Sequence, residues 1–522
     1  MRLRLLAVCV LIFGLLCPAG RAQGKGDYRN PVLFADYSDP DVIRDGDNYY
    51  LVASTFAFVP GLPILQSNDL VHWTIVAHVL PKIHLDPKYD MTGGDRYGRG
   101  VWAPALRKHN GLFYMYFPTP DEGIFVSTAA KIAGPWSDPV AVMAGFGLED
   151  PCPFWDDDGK AYLVHSRLGA GPLILHRMAP DGKSVLDEGK EIVRDPVHLR
   201  TLEGPKIYKR HGYYYIFAPY GGVGTGAQAV LRSKSIDGPY DYRTVLAKGK
   251  TDINGPHQGG YIETQTGEGW FLHFQSRGPH GRILHLEPVR WDDDWPVMGD
   301  AAPGEKTGQP VAYAPIPRHP GPLVAQADGQ HPQTSDEFTA HELGQQWEWN
   351  HNPDDARWSL TERPGYLRLH PTAATSLFTA HNTLTQMMQD ESLQFTTRLD
   401  VSGLKDGGRT GLAMFEKAAS GLEVVQTGAV RTLSLFHDKD RTSGPTLTGA
   451  ILQLRVHISV DKASYSYSLD DGKSFQPLGE PMPIAFSWWK GSRPALFAWT
   501  TAAGGDAGHV DFDWAHYQKA DQ

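Results

Sequence analysis

DPDVIRDGDNYYLV (Asp39–Val52) and DPCPFWDDDGKAYLV (Asp150–Val164) are two copies of one pattern. Each opens on a polar residue and a proline, runs through a short strand, turns at a glycine and returns as an aromatic, β-branched strand. Turns such as Asp158-Gly159 and Asn110-Gly111 supply the positive φ that tight hairpin loops demand. The pattern recurs as APALRKHNGLFYMYF (Ala103–Phe117), GPKIYKRHGYYYIF (Gly204–Phe217) and HQGGYIETQTGEGWFLHF (His257–Phe274). A further strand follows in every unit, from ILQSNDLVHW (Ile64–Trp73) to RILHLEPVRW (Arg282–Trp291). Strand-rich units of about 45–65 residues are what radial blades require. Short strands without helical periodicity argue against a parallel βαβ sheet. The expected fold is all-β, with a five-bladed β-propeller over residues 28–300.

Outward from the repeats the composition changes. Residues 301–335 hold prolines at 303, 310, 315, 317, 320, 322 and 332 among Gly, Ala and Gln, which predicts a linker without regular structure. Residues 336–522 alternate again, as in LQLRVHISV (Leu452–Val460), and predict a β-sandwich with its own core. At the other end, Arg2 and Arg4 precede the apolar run Leu5–Cys17 and the small residues Pro18-Ala19-Gly20. This order predicts a signal peptide over 1–22, cleaved near Ala22, and a secreted or periplasmic protein with no membrane attachment after cleavage. The run is short for a membrane span. Cys17 is a poor lipid-anchor site, because Leu16 stands where that signal uses a small residue. Cleavage would leave Cys152 as the last cysteine, so no internal disulfide is expected. Between Pro151 and Pro153 it reads as a buried structural thiol.

The 522 residues exceed what one core supports. A hydrophobic content of 41% and a charged content of 21% are those of a soluble globular protein. The net charge of −10 disfavours nucleic acid as a partner. Aromatic residues, including 14 Trp and 22 Tyr, suit both strands and the apolar faces of sugars.

Asp39, Asp150, Glu203 and His257 stand at or beside the first residue of their repeats. Corresponding positions on successive blades face one axis, so these side chains converge. Three carboxylates in one pit raise one another's pKa, and such clusters mark active sites. Glycoside hydrolysis uses this set: a protonated acid for the leaving oxygen and an ionised carboxylate opposite it. No G-x-S-x-G elbow, P-loop or paired-histidine zinc motif competes. Asp41 shares Asp39's face at a deeper level and reads as structural. Asp156-Asp157-Asp158-Gly159 reads as a turn rather than a calcium loop.

The segment NPVLFADYSDPDVIRDGDNYYLVASTFAFVPGLPILQSNDLVHW (Asn30–Trp73) closely resembles the opening of glycoside hydrolase family 43, which contains β-xylosidases and α-L-arabinofuranosidases. The resemblance continues through RGVWAPALR (Arg99–Arg107), LEGPKIYKRHGYYYIF (Leu202–Phe217), NGPHQGGYIE (Asn254–Glu263) and GRILHLEPVRW (Gly281–Trp291). The second unit resembles the concanavalin-like jelly-roll domain of the β-xylosidase-type members, which borders the active-site mouth. The resemblance implies Asp39 as general base, Glu203 as general acid and Asp150 as the carboxylate that tunes and positions the acid. It implies Phe56 and Trp102 as pocket aromatics and Arg282 as a substrate contact. His257 matches a histidine that in many members belongs to a calcium–water site, so calcium is the implied metal; a hydrogen-bonded buried histidine is the alternative. The implied activity is inverting, exo-acting removal of terminal pentoses from xylo-oligosaccharides or arabinose-containing oligosaccharides of hemicellulose. Two other readings are a retaining invertase-type propeller, disfavoured by Glu149-Asp150-Pro151 where those enzymes carry Arg-Asp-Pro, and a non-catalytic sugar-binding propeller. Asp336, Asp511 and Asp513 are either a calcium site joining the ends of the sandwich or plain turn and surface carboxylates.

Overall fold

Short alternating strands joined by tight turns satisfy their backbone only by pairing locally, and this chain does so five times in succession. The computed structural model describes residues 24, 26–319, 332–502 and 506–520. The expected leader, residues 1–22, lies outside them. Blade I comprises Asp41–Asp45, Asn48–Val52, Gly61–Ser67 and Thr74–Leu80. Blade II comprises Ala105–His109, Leu112–Thr119, Gly123–Ala129 and Val140–Ala144. Blade III is Leu148–Trp155, Ala161–Arg167, Leu173–Met178 and Lys190–Val193. Blade IV is Lys206–Arg210, Tyr213–Tyr220, Ala227–Ser233 and Asp241–Ala247, and blade V is His257–Glu263, Gly269–Ser276, Arg282–Asp292 and Trp295–Met298. Each is an antiparallel four-stranded sheet in sequence order, and blade V packs against blade I to close the ring. The inner strands are largely buried; in Leu112–Thr119 every residue after Leu112 is enclosed.

The ring is closed by a clasp rather than by a swapped strand. Asn30 donates through Nδ2 to the carbonyls of Leu286 and Val311, while its Oδ1 accepts from Leu286 N. Leu33 and Leu284 exchange both backbone hydrogen bonds. Asp27–Arg29 pairs with Tyr313–Pro315, so the Pro-rich stretch is not irregular throughout. A proline ends that strand at a free edge, where a missing N–H costs nothing.

The second domain packs two eight-stranded sheets face to face, antiparallel except where Thr372–Ala373 joins Arg493–Thr500; one is centred on Arg493–Thr500 and Gly408–Phe415, the other on Val510–Lys519 and Ser392–Asp400. In Lys462–Ser468, alternate residues Ala463, Tyr465 and Tyr467 point into the core. One apolar core continues from the propeller into the sandwich, joining Val79, Ile83 and Tyr89 to Trp347 and Trp349. Val59 and Trp349 exchange backbone hydrogen bonds of 3.0 and 2.6 Å across the boundary. Asn352 bonds both N and O of Ile83 at 2.8 Å. Asp511 pairs with Arg363 and Arg368, Asp513 with Arg398, and Asp336 accepts from Trp347 and the Phe338 amide. Their partners are cations and N–H donors, so the three make no calcium site.

Candidate active site

Ser38, Trp102, Glu149, Glu203 and His257 hold one equivalent place in the five blades. Their backbones pair with Ser54, Pro118, Ser166, Pro219 and Phe274 respectively, each near the end of its blade's second strand or, for Ser54, just past it. In four blades the next residue is left-handed: Asp39 (φ 54°), Asp150 (φ 52°), Gly204 (φ 58°) and Gln258 (φ 39°). Blades III and V also show a register shift there, between Glu149 and Cys152 and between His257 and Gly259. Such bulges re-aim side chains. Two consecutive residues, Glu149 and Asp150, therefore turn to the axis where strict alternation would send one away.

Asp39 accepts from Ser54 Oγ at 2.7 Å and from Arg282 Nη1 at 2.6 Å, in a pair whose side chains are both nearly buried. Asp150 is held the same way by its own blade: Ser166 Oγ donates at 2.9 Å, joined by Gly204 N at 2.8 Å and Gln258 Nε2 at 3.3 Å. Glu203 Oε1 lies 2.7 Å from His257 Nε2. Carboxylate oxygens of Glu149, Asp150 and Glu203 lie within 4.8 Å of one another, and Asp39 stands outside that group. Burial pushes Glu149 up to about 9, helped by the charges of Asp150, Glu203 and Asp39. Burial also raises Asp150, with Glu203 adding and the Gly204 N–H and Lys206 opposing. One side of the pocket thus gathers three carboxyl groups, two of them with raised pKa, and the other sets Asp39 against a fixed guanidinium.

The walls are aromatic. Phe56 and Trp102 meet edge to face with centroids 6.4 Å apart, fixed because Phe56 and Val101 exchange backbone hydrogen bonds. Gly100 is required here, since a Cβ would strike the Phe56 carbonyl. Sequence reasoning did not find the third wall, which comes from the sandwich. Trp489 sits 6.5 Å from Trp102 and 5.9 Å from the Arg282 guanidinium, while Trp488 stacks on Tyr97 at 4.5 Å. Lys490, fully buried, donates to the carbonyls of Asp36 and Ser54, and Gly491 N donates to Asp36 Oδ2. Asp36 Oδ1 accepts from Arg282 N, so one carboxylate ties the sandwich loop to the pocket.

Asp41 accepts from Leu106 N and Arg107 Nη1 and serves the blade I–II junction. Cys152 is buried, its Sγ accepting from Arg107 Nη2 and Ile207 N. The fit of His257 to calcium is poor. Its Nε2 is taken by Glu203, its Nδ1 is enclosed without a partner, and calcium prefers oxygen. Nearby strand starts bring cations across the ring instead: Arg107 reaches Asp41 and Cys152, and Lys206 reaches the Pro104 carbonyl.

Comparison with known proteins agrees with this architecture. The profile of glycosyl hydrolases family 43 matches residues 28–296, and that of the beta xylosidase C-terminal concanavalin A-like domain matches residues 335–518. A beta-xylosidase of Formosa agariphila is 35% identical over 550 residues, covering 95% of this chain and 91% of the relative. A non-reducing end alpha-L-arabinofuranosidase of Bacteroides ovatus is 34% identical over 382 residues, covering 70% and 69%. The crystal structure of a family 43 protein from Bacillus licheniformis superposes with a TM-score of 0.83 at 27% identity, covering 95% of this chain and all of that one. With the profile spanning the whole propeller and the relatives spanning both domains, the chain belongs to glycoside hydrolase family 43 and is a glycoside hydrolase of its β-xylosidase and arabinofuranosidase type.

Proposed function

We propose that this enzyme removes terminal pentoses, β-D-xylosyl in the first place, from hemicellulose fragments with inversion of configuration. The observation that carries the reading is the division of the carboxylates: Asp39 is paired to Arg282, apart from the close group of Glu149, Asp150 and Glu203. In this mechanism Glu203 protonates the glycosidic oxygen while Asp39 takes a proton from water on the opposite face of the sugar. Asp150, fixed by three hydrogen bonds, keeps the acid's proton in place by its position beside Glu203. His257 orients Glu203 by binding Oε1, which leaves the other oxygen to the substrate. Arg282 holds Asp39 in place and borders the sugar. Phe56, Trp102 and Trp489 give a terminal sugar an aromatic wall to pack against. The basic, apolar and small-residue order of residues 1–22 supports export to the periplasm or medium.

α-L-Arabinofuranosyl ends are the second reading, favoured by the Bacteroides ovatus relative. Hydrolysis of nitrophenyl β-D-xylopyranoside against nitrophenyl α-L-arabinofuranoside tests the choice. The xyloside is expected to be cleaved with the larger kcat/KM, and a larger value for the arabinoside would reverse the assignment. Rate against pH is expected to be bell-shaped. The low-pH limb reports protonation of the base and the high-pH limb loss of the acid's proton, and a rate that shows only one limb would remove one of the two roles.

A further inference from the structure

Glu149 has no part in the roles assigned above, yet it occupies the place that gives the pocket Trp102 one blade earlier and Glu203 one blade later. Its residue surface is 5% exposed. Among the described residues no group hydrogen-bonds its carboxyl, and its oxygens are not among the enclosed unpaired atoms of the interior. They therefore open on the pocket. A carboxyl withdrawn from water without a protein partner is costly unless a ligand supplies one.

We propose that Glu149 is a substrate-contacting residue that binds a sugar hydroxyl beside the scissile oxygen, between Trp102 and Glu203, and selects substrates that carry it. The proposal rests on the reading of Glu203 as the acid. Burial and the negative neighbours keep Glu149 protonated at neutral pH, so its O–H donates to the sugar oxygen and its carbonyl oxygen accepts the sugar O–H. A buried group that loses its hydroxyl partner discriminates strongly against the analogue lacking it. The bulge at Asp150 is what makes this possible, because it brings Glu149 to the axis without displacing Asp150.

The test measures kcat and KM of the full chain and of Glu149→Gln, Glu149→Leu and Glu149→Ala on xylobiose and nitrophenyl β-D-xyloside, with thermal unfolding as a folding check. Glutamine keeps a donor and an acceptor, so Glu149→Gln should stay within about 3-fold of wild type. Leucine or alanine leaves the hydroxyl unpaired and should lower kcat/KM at least about 10-fold. A loss on xylobiose alone supports a hydroxyl of the leaving sugar; a loss on both substrates supports one of the cleaved sugar. A folded Glu149→Leu or Glu149→Ala variant within about 3-fold on both substrates overturns the proposal, as does a glutamine variant that falls as far as they do. A wild-type chain that cleaves neither pentoside overturns this inference together with the proposed function, whereas an active wild type with indifferent variants overturns this inference alone.

Discussion

Asp39→Asn is expected to reduce kcat by about 10³-fold or more at every pH, on aryl glycosides and natural disaccharides alike. Asparagine has nearly the shape of aspartate and keeps an acceptor for Ser54, but it cannot take a proton from water. An activated leaving group gives no rescue, because the deleted step lies on the water side. Glu203→Gln should behave differently, sparing nitrophenyl substrates, whose departure scarcely needs protonation, and crippling xylobiose. The Asp39 variant also strips a nearly buried Arg282 of its counter-charge, so its melting temperature should fall as well. Circular dichroism at the assay temperature separates the two effects. A folded Asp39→Asn enzyme retaining a tenth of the wild-type rate would remove Asp39 from the chemistry.

Lys490→Met is expected to destabilise the protein by about 3–5 kcal/mol, the usual result of leaving one member of a buried ion pair behind. Both side chains are almost wholly inaccessible, 1% and 4%, and the ammonium lies 3.4 Å from Asp36 Oδ2. Burial alone would raise Asp36; the charges of Lys490 and Arg493 and the N–H groups of Arg282 and Gly491 outweigh it and hold the carboxyl below its ordinary range. Without Lys490 that carboxylate keeps two amide donors, the Ser38 hydroxyl and the charge of Arg493, and Trp489 loses the anchor beside it. KM should rise with the loss of stability, since Trp489 faces Trp102 and Arg282. Deleting the chain after Ser335 should go further and cause aggregation, because the apolar core crosses the boundary. Thermal unfolding and soluble yield measure both effects. A soluble, fully active truncation would show the sandwich to be dispensable.

The blades were legible because each carries its own turn chemistry and local pairing, so the five-fold repeat is written in adjacent residues. Asp39, Asp150 and Glu203 were legible for the same reason, as polar openings of corresponding strands. Glu149 was hidden by the rule that found the others. Alternation points it away from Asp150, and only the left-handed Asp150 and the register shift reverse that. Aligning the repeats one residue earlier, at Ser38, Trp102, Glu149, Glu203 and His257, is the signal that could have exposed it. Trp489 and Lys490 carry no local signal, because their partners Trp102 and Asp36 lie in the other domain. The strand at Tyr313–Pro315 was masked by its prolines, which an edge pairing with Asp27–Arg29 tolerates.

The stereochemistry of the first product tests the central claim most directly. On the proposed reading Asp39 is a base acting on water, and inversion needs room for that water, about 6.5–9.5 Å between the acid and the base. Proton NMR of fresh hydrolysate from a β-xyloside, recorded before mutarotation, should show α-xylose forming first. β-Xylose as the first product would show that Asp39 attacks the sugar itself, and the assignment of Asp39 as base would be wrong.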